Sequence, residues 1–177
     1  GLMPCLRRAA TAALLLWAAS VGGRTSCAAS AVVAWGANAR GQTNVPVDIT
    51  NAVAVGAGVQ YSLALKSDGT PVAWGTKSFN LTNIPPAATN IVALAAGGDH
   101  CLALRADGRI VGWGNAIDQR LVVPSGATNV VALAAGGYHS MALRSNGTVV
   151  AWGRNVAGQA SVPLGLIGVV AIAAGDM

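Results

Sequence analysis

Apolar runs of strand length recur along this chain, separated by short polar breaks. Asn90-Ile-Val-Ala-Leu-Ala-Ala96 is one such run, and Gly97-Gly98-Asp99 interrupts it. His100-Cys-Leu-Ala-Leu-Arg105 follows, Asp107-Gly108 breaks the pattern again, and Arg109-Ile-Val-Gly-Trp113 completes the set. Three β-strands joined by two tight turns are predicted. Asp-Gly or Asn-Gly between β runs is a hairpin signal, and the type I′ turn it favours needs positive φ at both central residues. The pair recurs at Asp68-Gly69, Asp107-Gly108 and Asn146-Gly147.

Within the strands, large and small apolar residues alternate, Leu102 and Leu104 with Cys101 and Ala103. A strand covered on one face alternates apolar with polar, so these strands are covered on both. Small sheets stacked face to face meet that demand, as in the blades of a β-propeller. After each Trp-Gly the chain turns polar and then reaches a proline. This segment is expected to return as a short, poor fourth strand at the blade edge, where proline is tolerated.

The set is repeated at a fixed distance. Trp35, Trp74, Trp113 and Trp152 are spaced 39 apart, each followed by glycine. Pro46, Pro85, Pro124 and Pro163 keep the same step, as do Gly58, Gly97, Gly136 and Gly175. Leu65/Leu104/Leu143, Gly69/Gly108/Gly147 and Asn51/Asn90/Asn129 add further columns. A period held without insertion marks a repeat architecture. The expected fold is therefore all-β, a β-propeller of 39-residue blades with about four blades present. A closed four-blade ring would have to complete its last blade with the N-terminal strand at Val32–Trp35.

Residues 1–29 have the pattern of a secretory signal peptide: Arg7-Arg8, the apolar run Ala9 to Ala19, then small residues ending at Cys27-Ala28-Ala29. The run is too short to span a bilayer comfortably, which takes ~20 apolar residues. The domains expected are thus a leader, 1–29, and propeller repeats, 30–177. The protein is expected to be secreted, periplasmic or on the cell surface, with no membrane association beyond export.

Charge changes the picture little. Removing Arg7, Arg8 and Arg24 from the 11 basic residues leaves eight against all 6 acids, a net of +2 from residue 30 onward. No clustered basic face results, so nucleic acid is not an expected partner. Cys101 is the one cysteine outside the leader and stands in the column of Ser62 and Ser140, so it is read as a small buried residue.

The pattern Ala-Ala-Gly-Gly-x-His-x-x-Ala-Leu-(Arg)-x-(Asp/Asn)-Gly-x-Val-x-x-Trp-Gly, at 95–114 and 134–153 and more loosely at 56–75, resembles the repeat of the regulator of chromosome condensation family. The compact unit, with Trp35-Gly-Ala-Asn-Ala-Arg-Gly-Gln and Trp152-Gly-Arg-Asn-Val-Ala-Gly-Gln, is similar to that family's exported bacterial branch, which includes a propeller that inhibits β-lactamases. The resemblance implies a seven-bladed ring, of which this chain would be an incomplete part, and a non-enzymatic scaffold that binds a protein through one face. Alternatives are an enzyme inhibitor of the β-lactamase-inhibitory type and a propeller enzyme acting on polysaccharide. The nucleotide-exchange role of the family's nuclear member is disfavoured by the export signal and weak charge.

Because strands alternate direction, the Gly-Gly-x-His turns and the loops after Trp-Gly should share one face. Residues there vary within a constant frame, as on a binding surface. Arg40, Gln60, Lys77, Phe79, Asp99, Asp118, Tyr138 and Arg154 are the candidate partner-binding residues. No catalytic residue, metal site or cofactor is expected: no nucleophile elbow, phosphate-cradling loop or metal-spaced cluster occurs. His100 and His139, in the column of Tyr61, are expected to be structural hydrogen-bonding groups. Tryptophans at strand ends are expected to pack blades rather than stack on sugars. The apolar run Leu166 to Ala174 would begin an unfinished blade, so residues 30–177 alone should self-associate through open edges.

Overall fold

The structure, a computed structural model, describes residues 32–176. The proposed leader lies outside them. Among the described residues nine strands form three separate antiparallel sheets of three, each built from consecutive strands. The first sheet holds β1 (Ala52–Ala57), β2 (Tyr61–Lys66) and β3 (Pro71–Gly75); the second, β4 (Ile91–Ala96), β5 (His100–Arg105) and β6 (Ile110–Gly114); the third, β7 (Val130–Ala135), β8 (His139–Arg144) and β9 (Val149–Gly153). The strands predicted over 90–113 thus match the observed ones to within a residue at each end.

Both faces of the middle strand are covered. All of His100–Leu104 is buried. Cys101 and Ala103 pack with Leu63 and Leu65 of the first sheet, and Leu102 and Leu104 pack with Ala142 of the third. The large face of one sheet therefore meets the small face of the next. Among the first strands β1 neighbours β4 and β4 neighbours β7, the arrangement of inner strands about a propeller axis.

Repeated columns have repeated reasons. Asn51, Asn90 and Asn129 sit at φ 60, 52 and 52, the left-handed region that asparagine tolerates better than most residues. Their carbonyls accept from Ser67, Ala106 and Ser145, locking the hairpin back onto the strand entry. Gly97 lies so close to the imidazole of His100 and the carbonyl of Gly136 that a Cβ would sit 2.4 and 2.7 Å away. Neighbouring blades are stitched along this column, Gly98 N–H donating to the Gly136 carbonyl at 3.0 Å and Gly137 N–H to that of Gly175 at 3.2 Å.

Two expectations are corrected. In the Asp-Gly hairpins, Gly108 alone of the pair has positive φ, at 81. Arg105 pairs with Arg109 and Gly108 N–H reaches back to Arg105 O, giving a three-residue loop with a left-handed glycine instead of a type I′ turn. The Asp107 carboxylate caps this loop by accepting from Arg109 N–H at 3.1 Å, which a type I′ turn would not need. The second correction concerns the fourth strand: each sheet stops at three. Phe79 and Asn80, like Asp118 and Gln119, take positive φ inside short 3-10 turns, so the backbone coils where an edge strand would extend. Each proline then opens a turn, as in Ala88 N–H to Pro85 O at 2.9 Å.

The C-terminal run follows the path that the first strand of a next blade would take. Val169 N–H donates to Gly147 O at 3.0 Å, as Ile91 N–H does to Gly69 O at 3.1 Å. It carries no assigned strand pairing and leaves Ile167 and Val170 exposed. Val32 packs instead on Ile49, Ala64 and Trp74, at the other end of the chain's path. Among the described residues these two segments do not complete one blade, so the four-blade ring is not formed and the sheets make an arc.

Candidate partner-binding face

The turns after β1, β4 and β7 and the loops after Trp-Gly do share one end of the blades. Backbone bonds join them: Thr76 N–H to Gln60 O at 2.9 Å, Asn115 N–H to Asp99 O at 2.8 Å, and Arg154 N–H to Tyr138 O at 3.0 Å. The tryptophans fix the loops from below. Trp74, Trp113 and Trp152 donate Nε1–H to the carbonyls of Gln42, Leu81 and Arg120, each 32 residues earlier. Blade packing, expected of these tryptophans, is thus joined by a hydrogen bond to the preceding repeat's loop. Trp35, without such a partner among the described residues, is 85% exposed.

The candidate residues sit along this end, mostly exposed. Arg40, Gln60, Lys77 and Phe79 occupy the first loops and turn, and Asp99 the second turn. Asp118, Tyr138 and Arg154 are brought together around a residue outside the candidate set, Arg120. Its side chain is buried. Nε donates to Ile117 O at 2.8 Å, Nη1 to Gly137 O at 3.3 Å and Nη2 to the Asp118 carboxylate at 3.2 Å. Its guanidinium lies 5.0 Å from the centre of the Tyr138 ring, and that of Arg154 lies 5.2 Å from the same centre. A cleft of about 500 Å³ opens beside the cluster, lined by Gln119, Val122, Pro124, Trp152, Arg154 and Val156 among others. The signal for Arg120 is its column, where the two preceding repeats place Gln42 and the buried Leu81.

His100 takes the structural role expected. Its Nε2 lies 2.9 Å from Ser140 Oγ, whose hydroxyl donates to Arg120 O at 2.8 Å; Nε2 therefore carries the proton and Nδ1 has no partner. Burial, then the Arg120 charge, then His139 hold its pKa down to about 4, and burial lowers that of His139 too. Histidine beside serine is a nucleophile–base spacing. Both are fully buried and the hydroxyl is already committed, so the pair joins blades. Cys101 is buried and its thiol is pushed up to about 12 by burial, far from the thiolate that reactivity requires. Among the described residues no cluster of three His, Cys, Asp or Glu side chains could hold a metal ion.

The sequence profile of the Regulator of chromosome condensation (RCC1) repeat matches residues 91–116 and 130–159. No curated protein matches the chain. Among solved structures it is similar to the CRINKLY WD40 ectodomain of the Arabidopsis thaliana receptor kinase ACR4, with 26% identity and a TM-score of 0.55, covering 69% of this chain and 42% of that one. Prp20p of Saccharomyces cerevisiae, described with its binding to Gsp1p and histones, gives 23% identity and a TM-score of 0.58 over 67% of this chain and 34% of its own. Yeast RCC1 (Prp20) bound to Kap60 gives 23% and 0.57 over 75% and 41%. The chain therefore spans between about a third and two fifths of the length of these solved chains. Its sequence carries regulator of chromosome condensation repeats, folded as consecutive blades of a partial β-propeller.

Proposed function

We propose that this chain is an exported, non-enzymatic scaffold that binds a protein partner through the end of the blades formed by the turns after the first strands and the loops after Trp-Gly. The observation that carries the reading is a contrast between columns. Core and turn positions repeat, whereas Gln60, Asp99 and Tyr138 differ at one position on that end, and Arg40, Phe79 and Asp118 at another. A rigid frame with varied exposed side chains is the usual build of a recognition surface. The related propellers described with Gsp1p, histones and Kap60 support a protein as the class of partner. The exposed aromatics Phe79 and Tyr138 are the residues an enzyme inhibitor would use as anchors, the second reading.

Photo-crosslinking residues placed at Gln60 and Lys77 on this end, and at Asp107 and Asn146 on the hairpin end, test the proposal in extract of the source cells. Discrete adducts from the first pair alone are expected. Adducts from the hairpin end alone, or none from either, would refute it.

A further inference from the structure

Arg120 is a buried cation in a column where the preceding repeat folds with Leu81, itself fully buried. The blade fold does not call for a charge there, and burying one costs more than burying leucine. What the arginine adds is specific: it fixes Asp118 at 3.2 Å and backs the Tyr138 ring from one side. Over the same ring lies the exposed Arg154. The corresponding side chains of the other repeats turn inward, Asn115 accepting from Ile117 N–H at 2.9 Å and Thr76 bonding Ser78 at 3.1 Å.

The charges at this place do not balance. Asp118 is already paired with Arg120, whereas among the described residues the ion pairs are Lys66–Asp48, Arg105–Asp107 and Arg120–Asp118, leaving Arg154 without a carboxylate. Beside it the cleft has an apolar part, with Val122 and Val156 exposed next to Pro124 and Trp152, and a polar part of Asp118, Gln119 and Asn155. A guanidinium lying over an aromatic ring keeps N–H donors at its edge, and that fork matches a carboxylate's two oxygens. We propose that Arg154 on Tyr138 is the anchor for an acidic side chain, aspartate or glutamate, of a protein partner, with the apolar residue next to that acid seated on Val122, Pro124 and Val156. This rests on the scaffold reading above and names the chemistry of its partner. Charge complementarity selects the acid, and the adjoining apolar part of the cleft selects a peptide over a simple anion.

The probe is the blocked peptide acetyl-Leu-Ser-Glu-Val-Leu-amide, titrated into the ¹⁵N-labelled full chain, with its glutamine counterpart as control. Saturable shifts confined to 118–124 and 152–156 are expected for the glutamate peptide, with binding at least ten-fold weaker for the glutamine peptide and for Arg154→Ala. Arg154→Lys, which keeps the charge and loses the fork, should fall between. Arg154 is exposed, so its variants should melt as the wild type does. Equal binding of the two peptides, unchanged binding by Arg154→Ala, no binding at millimolar peptide, or preferential binding of tripolyphosphate would each overturn the proposal. Should adducts from Gln60 and Lys77 still form while the peptide fails, the scaffold reading stands and the acid anchor alone is lost.

Discussion

Replacing Arg120 by leucine separates what the blade needs from what the cluster adds. The guanidinium makes three bonds, at 2.8, 3.3 and 3.2 Å. Losing them costs roughly 1–2 kcal/mol each, about 3–6 in all. Against this stand the several kcal/mol spent on desolvating a buried cation and about 2 kcal/mol from burying leucine. Leu81 in the same column shows that the backbone accepts that side chain. The two sides nearly cancel, and Arg120→Leu is expected within about 2 kcal/mol of wild type. Arg120→Ala loses the same bonds and opens a cavity without the compensating burial, so it should fall by about 3–5 kcal/mol. Calorimetry separates the outcomes, since 1 kcal/mol moves Tm by ~2–4 °C for a chain of this size. A leucine variant as damaged as the alanine variant would show that the fold itself requires the charge, and the argument for a functional cluster would fail.

Two further outcomes follow from the same bonds and contacts. The folded pKa of His100, about 4, lies below its unfolded value of ~6.5. The unfolded chain therefore takes up the proton first as pH falls. Stability is full above ~6.5 and declines by about 3 kcal/mol on the way to pH 4. Urea melts across that range should show the slope, and His100→Tyr, the residue of this column at Tyr61, should reduce it to the part owed to His139; an unchanged slope would refute the assignment. Gly97→Ala drives a Cβ against the Gly136 carbonyl and should cost about 1–3 kcal/mol. At Gly126 nothing lies within 4 Å and φ is ordinary, so Gly126→Ala should gain ~0.4–1 kcal/mol; equal effects on Tm would undo the close-approach argument.

Strand positions and blade stacking were legible because they follow from local periodicity: a run such as 101–104 with no polar position has to be covered on both faces. Turn type was not, since Asp107-Gly108 suits two loop geometries and the choice rests on the Asp107 carboxylate reaching Arg109 N–H. The expected fourth strand failed for a related reason. The Leu81 and Arg120 carbonyls are spent on tryptophan indoles 32 residues away, and no local pattern reveals such bonds. Of the clustered side chains, Asp118, Tyr138 and Arg154 were visible as variation in a constant frame. Arg120 was not, because an arginine in a polar loop looks solvated until the turn at Gly137 closes over it.

The stitching of each blade to the next through Gly98 and Gly137 has a consequence for cooperativity. Each sheet is held mainly by the sheets beside it, so stability approximates a sum of nearest-neighbour terms, as in a one-dimensional chain of coupled units. The middle sheet, flanked on both sides, should exchange its amide hydrogens last. The flanking sheets should open earlier, by local steps that leave the centre intact. An added unit of 39 residues would keep all of these links in phase, whereas an insertion inside a strand would shift its register and force one interface to let go.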